Sequence, residues 1–324
     1  MIEWIVRRLF QTSIIIIVVT AIVFFGISFV GDPVESFAPP DASYAERQVI
    51  IKSLGLDLPL WQQYLHFIKG ASEGNFGKSF IYQTSAFQVI LQRMPATLEL
   101  AMSAMVLSAL IGLPLGLYAG LKPDSAVSKT LMAGSVIGFS LPTFWVGLLL
   151  ILIFAINLGW LPSGGRGATQ ELFGLQWSFL TLDGLSHLVL PALNLALFNI
   201  SLIMRLVRAG VADVMPLEFI KFARAKGLRE SRVIGVYVLK NVMIPVVTVV
   251  GIQLGTIMAF AVVTESIFAW PGMGKLIIDS INLLDRPVIV AYIVVIVCFF
   301  VLINLLVDFI YTLLDPQIRL DNQK

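Results

Sequence analysis

The residues whose types and spacing could do chemistry are few. Ser72-Glu73-Gly74-Asn75-Phe76-Gly77-Lys78-Ser79 matches the phosphate-loop pattern G-x-x-x-x-G-K-[ST] except at its first position, where Ser72 stands in place of Gly. A working loop of this kind aims backbone N–H groups and a lysine at nucleotide phosphates, and it follows a buried strand and opens a helix. Here an amphipathic helical pattern precedes it, so a structural turn is the better reading. His66 and His187 are the only histidines, they are not paired, and no H-E-x-x-H accompanies them. That argues against a zinc or serine-hydrolase centre and against a membrane enzyme; His187 reads as a residue at the membrane interface. Cys298 is the one cysteine and lies in an apolar run, so no disulfide or cysteine metal site forms within the chain. Glu265 and Asp308 fall near the ends of apolar stretches. Ion-coupled carriers rely on carboxylates or broken helices at mid-depth, which weighs against a secondary transporter; an ATP-independent secondary carrier or channel stays the alternative. Asn194, Asn199, Gln253 and Thr256 are the polar residues that could line a path. The competing reading for each is hydrogen bonding between helices, worth about 0.6 kcal/mol on average.

The elements that must position these residues are membrane helices. Of 324 residues, 58% are hydrophobic and 13% charged, with mean hydropathy +0.91, too little charge to cover a soluble domain. The net charge of +2 makes no case for nucleic acid. A crossing takes roughly 20 apolar residues, and six stretches qualify: Leu9 to Val30, Leu100 to Leu121, Thr130 to Leu161, about His187 to Met204, Asn241 to Thr264, and Pro287 to Val307. The third is longer than an upright crossing needs, so tilt or a bend near Pro142 is expected. With the N-terminus inside, fourteen of the 22 Lys and Arg residues fall on inner segments and eight on the longer outer ones. The positive-inside rule then places both termini in the cytoplasm. Arg7 and Arg8 before an apolar run would also suit a signal peptide, but that run is longer than the roughly 7–15 residues of a signal core, so it reads as a retained span.

The loops carry the functional signal. The outer segment 31–95 holds helix-like stretches at Ala42 to Leu54 and Leu60 to Ile68, the latter with Trp61, Tyr64, Leu65 and Ile68 at helical spacing, and is expected to form a small external helical subdomain. The inner segment 205–240 holds eight of the fourteen inner cations. It reads as a helix-turn-helix outside the membrane: Pro216 suits a first helical turn, Phe219, Phe222 and Ala223 share one face, and Gly227 stops the helix with a left-handed cap. A second basic helix climbs back towards Asn241. Two readings stay open on these residues alone, a basic helix on anionic head groups or a docking helix whose phenylalanines fill a partner's pocket.

The run Glu218-Phe219-Ile220-Lys221-Phe222-Ala223-Arg224-Ala225-Lys226-Gly227-Leu228, followed by Asn241-Val242-Met243-Ile244-Pro245, resembles the EAA loop of ABC importer permeases, most of all the dipeptide/oligopeptide and nickel branch. Other segments agree in order over nearly the whole chain: Gly31-Asp32-Pro33, Leu54-Gly55-Leu56-Asp57, Pro59-Leu60-Trp61-Gln62-Gln63-Tyr64-Leu65, Pro95-Ala96-Thr97-Leu98-Glu99-Leu100, Leu141-Pro142-Thr143-Phe144-Trp145, Thr264 to Gly274, Asn304 to Asp308 and Asp315-Pro316. Lys221-Phe222-Ala223 departs from Glu-Ala-Ala, and Val30-Gly31-Asp32-Pro33 from Pro-Gly-Asp-Pro. The resemblance implies an all-α type I ABC importer transmembrane fold with six spans. Its units would be residues 1–30, the external subdomain 31–95, a core 96–314 and a cytoplasmic tail 315–324, in a bacterial inner membrane. It implies a coupling helix formed by Leu217, Glu218, Phe219, Phe222, Ala223, Arg224, Ala225, Lys226, Gly227 and Leu228 in a groove of an ATP-binding subunit, with Arg224 and Lys226 pairing with acids at its rim. It further implies a second homologous permease, two cytoplasmic ATPase subunits that use ATP and Mg, an external substrate-binding protein facing the subdomain and Trp270-Pro271-Gly272, and no cofactor in this chain. The cargo would be di- or oligopeptides, with nickel complexes, glutathione or other peptide-like solutes as alternatives.

Overall fold

The computed structural model describes residues 2–30, 34, 42–53 and 55–314. Gly31-Asp32-Pro33, Leu54, Asp315-Pro316 and the tail 315–324 lie outside the described residues, as does the side chain of Asp308. The chain is helical: α1 (Ile2–Val30), α2 (Tyr44–Ser53), α3 (Leu60–Ser72), α4 (Ala86–Leu121), α5 (Ala126–Ser140), α6 (Thr143–Leu150), α7 (Leu182–Val214), α8 (Glu218–Ala225), α9 (Glu230–Arg232), α10 (Leu239–Ile267), α11 (Met273–Asn282) and α12 (Arg286–Leu314). π-Helical turns at Ile151–Asn157 and Val233–Val238 extend α6 and join α9 to α10.

Four helical runs among the described residues are long and apolar enough to cross a membrane: Ala86–Leu121, Leu182–Val214, Glu230–Met258 and Arg286–Leu305. The first three begin well before the predicted spans. The second predicted crossing begins within a 36-residue helix, about 54 Å at 1.5 Å per residue and well beyond a ~30 Å hydrocarbon core. In α1 the segment Ser13–Gly26 is apolar. The third predicted span is two rods, α5 and α6, meeting at 106°. Leu141 and Pro142 at the break are extended, with ψ of 134° and 131°. Proline disfavours the helical conformation in the residue before it, and here both residues leave the helix, so the chain turns sharply and does not tilt as one rod. Between α6 and α7 the otherwise all-α fold carries a small β-hairpin, β1 (Gln170–Leu172) paired antiparallel with β2 (Leu175–Trp177). Phe173 and Gly174 both have positive φ at its tip, as a two-residue hairpin turn demands.

The fold divides into two compact units, residues 1–97 with 271–301, and 98–270 with the C-terminal segment. The segment 31–95 falls in one unit with α1, α11 and the start of α12. In this unit the Tyr64 hydroxyl on α3 donates to the Ile17 carbonyl at 2.8 Å and lies 3.1 Å from the Thr20 hydroxyl of α1. Buried Asp285, just before α12, accepts from the Ser79 hydroxyl and from the Phe80 and Ile81 backbone N–H groups at 3.1 and 3.3 Å. The phosphate-loop look-alike ends on this carboxylate. Its own N–H groups are consumed locally, Asn75 N–H by the Gly70 carbonyl and Gly77 N–H by Asn75 Oδ1.

In the second unit the glycines of Gly112-x-x-x-Gly116-x-x-x-Gly120 lie against α7. A Cβ on Gly116 would stand 2.7 Å from the Met204 carbonyl oxygen, and one on Gly120 would stand 2.6 Å from Val211 Cβ. Only hydrogen fits at this crossing, which is the close-packing device of membrane helices. Buried Glu99 anchors the loops. Arg166 donates to it at 2.8 Å, and the Ser178 and Phe179 N–H groups donate at 2.7 Å each. The Arg166 guanidinium also lies over fully buried Trp270, 5.9 Å from the ring centroid. The Trp270 indole is therefore core.

Two outcomes test this packing. Gly116→Ala destabilises the detergent-solubilised chain by about 1–3 kcal/mol through overpacking, while Gly134→Ala, mid-helix with nothing within 4 Å of its Cβ, does not lower the unfolding temperature and raises it slightly. Asp285→Ala strands two backbone donors, a loss of about 2 kcal/mol or more, read as new proteolytic cleavage between residues 78 and 85.

Candidate coupling site

The segment 217–228 is built by two opposed faces of one short helix. In α8, Ile220 is fully buried and Ala223 is 3% exposed. They join a cluster made by Ile203, Val207, Val211 and Val214 of α7, Val233 and Val238 of the π-helical turn, and Val242 and Val246 of α10. Ala223 therefore lies apart from the phenylalanines, contrary to the single face expected from sequence for Phe219, Phe222 and Ala223. It sits on the inward stripe with Ile220, three residues away. On the other side Phe219 is 40% exposed, Phe222 62% and Leu217 45%.

Leu217 precedes the first helical turn in extended conformation, with ψ of 147°. The far end closes as the sequence implies. Gly227 has φ +75°, its N–H donates to the Arg224 carbonyl at 2.9 Å, and Leu228 N–H reaches the Ala223 carbonyl at 3.3 Å. This is a Schellman closure, and Leu228 packs against the same cluster. A Cβ on Gly227 would meet nothing within 4 Å, so within this chain glycine is needed for its backbone conformation and not for space.

The charges of the segment are partly spoken for. Arg224 pairs with Glu230 of α9 at 2.5 Å, and Lys221 pairs with Glu218 at 2.8 Å. The Lys226 ammonium lies 4.6 Å from the Phe222 ring centroid. The hydrogen bond from Arg224 holds the Glu230 carboxyl below its usual range and raises Arg224. A depressed carboxylate pKa stabilises the fold above the ordinary glutamate range, and that contribution disappears as pH falls through the lowered value. With both side chains about half exposed, it is screened and small. Arg224 thus meets an acid of its own chain, a partner the sequence reading did not find although Glu230 lies six residues on.

The four candidate pathway residues separate. Asn194 is 1% exposed and its amide donates to the Thr264 hydroxyl of α10 at 2.9 Å; Asn199 is 3% exposed and donates to the Leu195 carbonyl at 3.1 Å. Thr256 returns its hydroxyl to the Ile252 carbonyl at 3.2 Å. Gln253 and Thr256 are half-buried. The geometry joins Asn194 to a helix–helix hydrogen bond and places Asn199 within packing.

Comparison with known proteins agrees with this architecture. Residues 112–320 match the family described as binding-protein-dependent transport system inner membrane component, and residues 1–101 match the N-terminal part described for the same membrane component. The chain is 35% identical over 338 residues to the dipeptide transport system permease protein of Escherichia coli (strain K12), covering 98% of this chain and 99% of the relative. It is 38% identical over 312 residues to the di/tripeptide transport system permease protein of Pseudomonas aeruginosa (strain UCBPP-PA14), covering 89% and 90%. An inward-facing structure of the MetNI methionine ABC transporter shares its fold, with TM-score 0.55 and 17% identity over 70% of this chain and 97% of that one. This chain belongs to the binding-protein-dependent transport system inner membrane component family.

Proposed function

We propose that this inner-membrane, multi-pass permease carries di- or oligopeptides inward, and that α8 is the helix through which cytosolic ATP-binding subunits drive it. The observation that carries this reading is the two-faced helix. Ile220 and Ala223 are rooted in the cluster beneath α7 and α10, while Leu217, Phe219 and Phe222 project from the chain. An exposed apolar trio on and just before an eight-residue helix is a surface that gains stability by entering a partner's pocket. Movement imposed on that surface passes through close-packed valines to two membrane helices, because cores transmit strain and do not absorb it. The reading that α8 is a basic helix on lipid asks for cations on one face, whereas here Arg224 and Lys221 already hold intrachain acids.

In the full reading both termini are cytoplasmic. A second homologous permease completes the pathway, two ATPase subunits bind ATP and Mg, and an external binding protein delivers cargo. The chain itself supplies no hydrolytic chemistry. Two similar proteins named for dipeptide and di/tripeptide transport support the cargo class, and glutathione or a nickel complex would be distinguished by direct uptake measurements.

Phe219→Ala with Phe222→Ala leaves the chain inserted and folded, since neither ring is core, but reduces co-purification of the ATPase subunits and uptake by at least tenfold, as loss of interface anchors of about 2 kcal/mol each predicts. Gly227→Ala costs about 1–2 kcal/mol by forcing a left-handed residue with a Cβ. Gly227→Asp adds a charge at the docking surface and uncouples ATP hydrolysis from uptake. Full coupled uptake by the double phenylalanine variant, or transport by the isolated chain in liposomes without ATP, would overturn the reading.

A further inference from the structure

A cavity of about 470 Å³ lies wholly within the first unit, between α1, α3, the 75–80 loop and the first turn of α12. We propose that it is a binding site for an anionic membrane lipid, with the phosphate headgroup at its cationic side and an acyl chain along its aromatic wall. Three features of the lining lead there. Its apolar side is drawn from membrane helices, Phe24 of α1 and Val290 of α12, and from Phe67 of α3. Phe67 lies 6.1 Å from Phe24 and begins a run of ring contacts through Phe76. Its cations are Lys78 and Arg286, the His66 imidazole lies beside them, and among the described residues no carboxylate lines it. The adjacent Asp285 is turned under the loop, where it accepts from Ser79, Phe80 and Ile81.

The same geometry rules out the nucleotide reading of this segment. A phosphate loop presents unpaired backbone N–H groups, but those of Gly74, Asn75, Gly77 and Ser79 are taken by Ala71 O, Gly70 O, Asn75 Oδ1 and Thr84 O. An anion here must be held by side-chain cations, which suits a headgroup at the end of apolar helices more than a triphosphate. Basic pockets between membrane helices recognise lipid head groups in this manner, with each Lys or Arg near a surface worth roughly fivefold in binding. The site is independent of α8, and its test reads lipid and not uptake, so its failure leaves the importer reading intact.

The experiment uses the assembled transporter in nanodiscs with photoactivatable phosphatidylglycerol, and photoactivatable phosphatidylcholine as the zwitterionic control. Crosslinks are mapped by mass spectrometry. The site predicts that tagged phosphatidylglycerol concentrates on residues 60–80 and 286–290. Lys78→Glu, at an exposed position that does not threaten the fold, should reduce that labelling at least roughly fivefold without altering labelling elsewhere. Lys78→Arg should restore it. Equal labelling by both lipids, or labelling unchanged in Lys78→Glu, overturns the proposal. Complete protection by excess inorganic phosphate overturns it in favour of a free-anion site, and protection by a dipeptide in favour of a cargo site.

Discussion

The constraint on which the structure turns is the seating of Ile220 and Ala223 in a socket of β-branched side chains. α8 is only eight residues long, and a helix of that length has no stability of its own in water. It exists because two of its residues are removed from solvent by Val207, Val211, Val233 and Val242, contributed by two long helices and the π-helical turn between them. The socket dictates the rest of the segment's design. With Ile220 and Ala223 inward, Phe219 and Phe222 have nowhere to go but out. With both ends of the segment tied to α7 and to the α9–α10 run, the helix can rotate or translate only if those helices move too.

That coupling is useful only if the long helices are themselves stiff. α7 is pinned along its length by the glycine-lined face of α4, where the two backbones approach so closely that a methyl group would collide with Met204 or Val207. Near contact between backbones leaves little room for independent sliding. It also compensates for what lipid cannot supply, since apolar side chains gain nothing by leaving one hydrocarbon environment for another. Asn194 adds a polar link from α7 to Thr264 of α10.

Loops are held by a different device. Each compact unit contains a buried carboxylate that collects backbone N–H groups from a connecting segment, Glu99 from residues 178 and 179 and Asp285 from residues 80 and 81. A buried carboxylate is tolerated only with such donors around it. The charge therefore selects one loop conformation, in segments with little regular secondary structure to do so.

Much of this was legible in the residues alone. Membrane residence, the helical content, the glycine stop at Gly227 and the coupling-loop resemblance follow from composition, apolar run length and a motif, because each depends on properties local to the chain. The face of α8 is a different case. Phe219, Ile220, Phe222 and Ala223 are consecutive apolar choices on a helix, and spacing cannot say which pair is covered until the valines of α7 and α10 arrive from elsewhere in the sequence. Glu99 and Asp285 likewise look like ordinary polar positions until residues 67 and 205 places away bring Arg166 and Phe80 to them. The glycine repeat of α4 was present as a G-x-x-x-G signal, but its partner helix was not. The lengths of α4 and α7 beyond the bilayer also escaped an apolar-run reading, because outside the hydrocarbon a helix continues or stops according to what it packs against. Local chemistry wrote the class of the protein, and three-dimensional packing chose which side chains are left facing a partner.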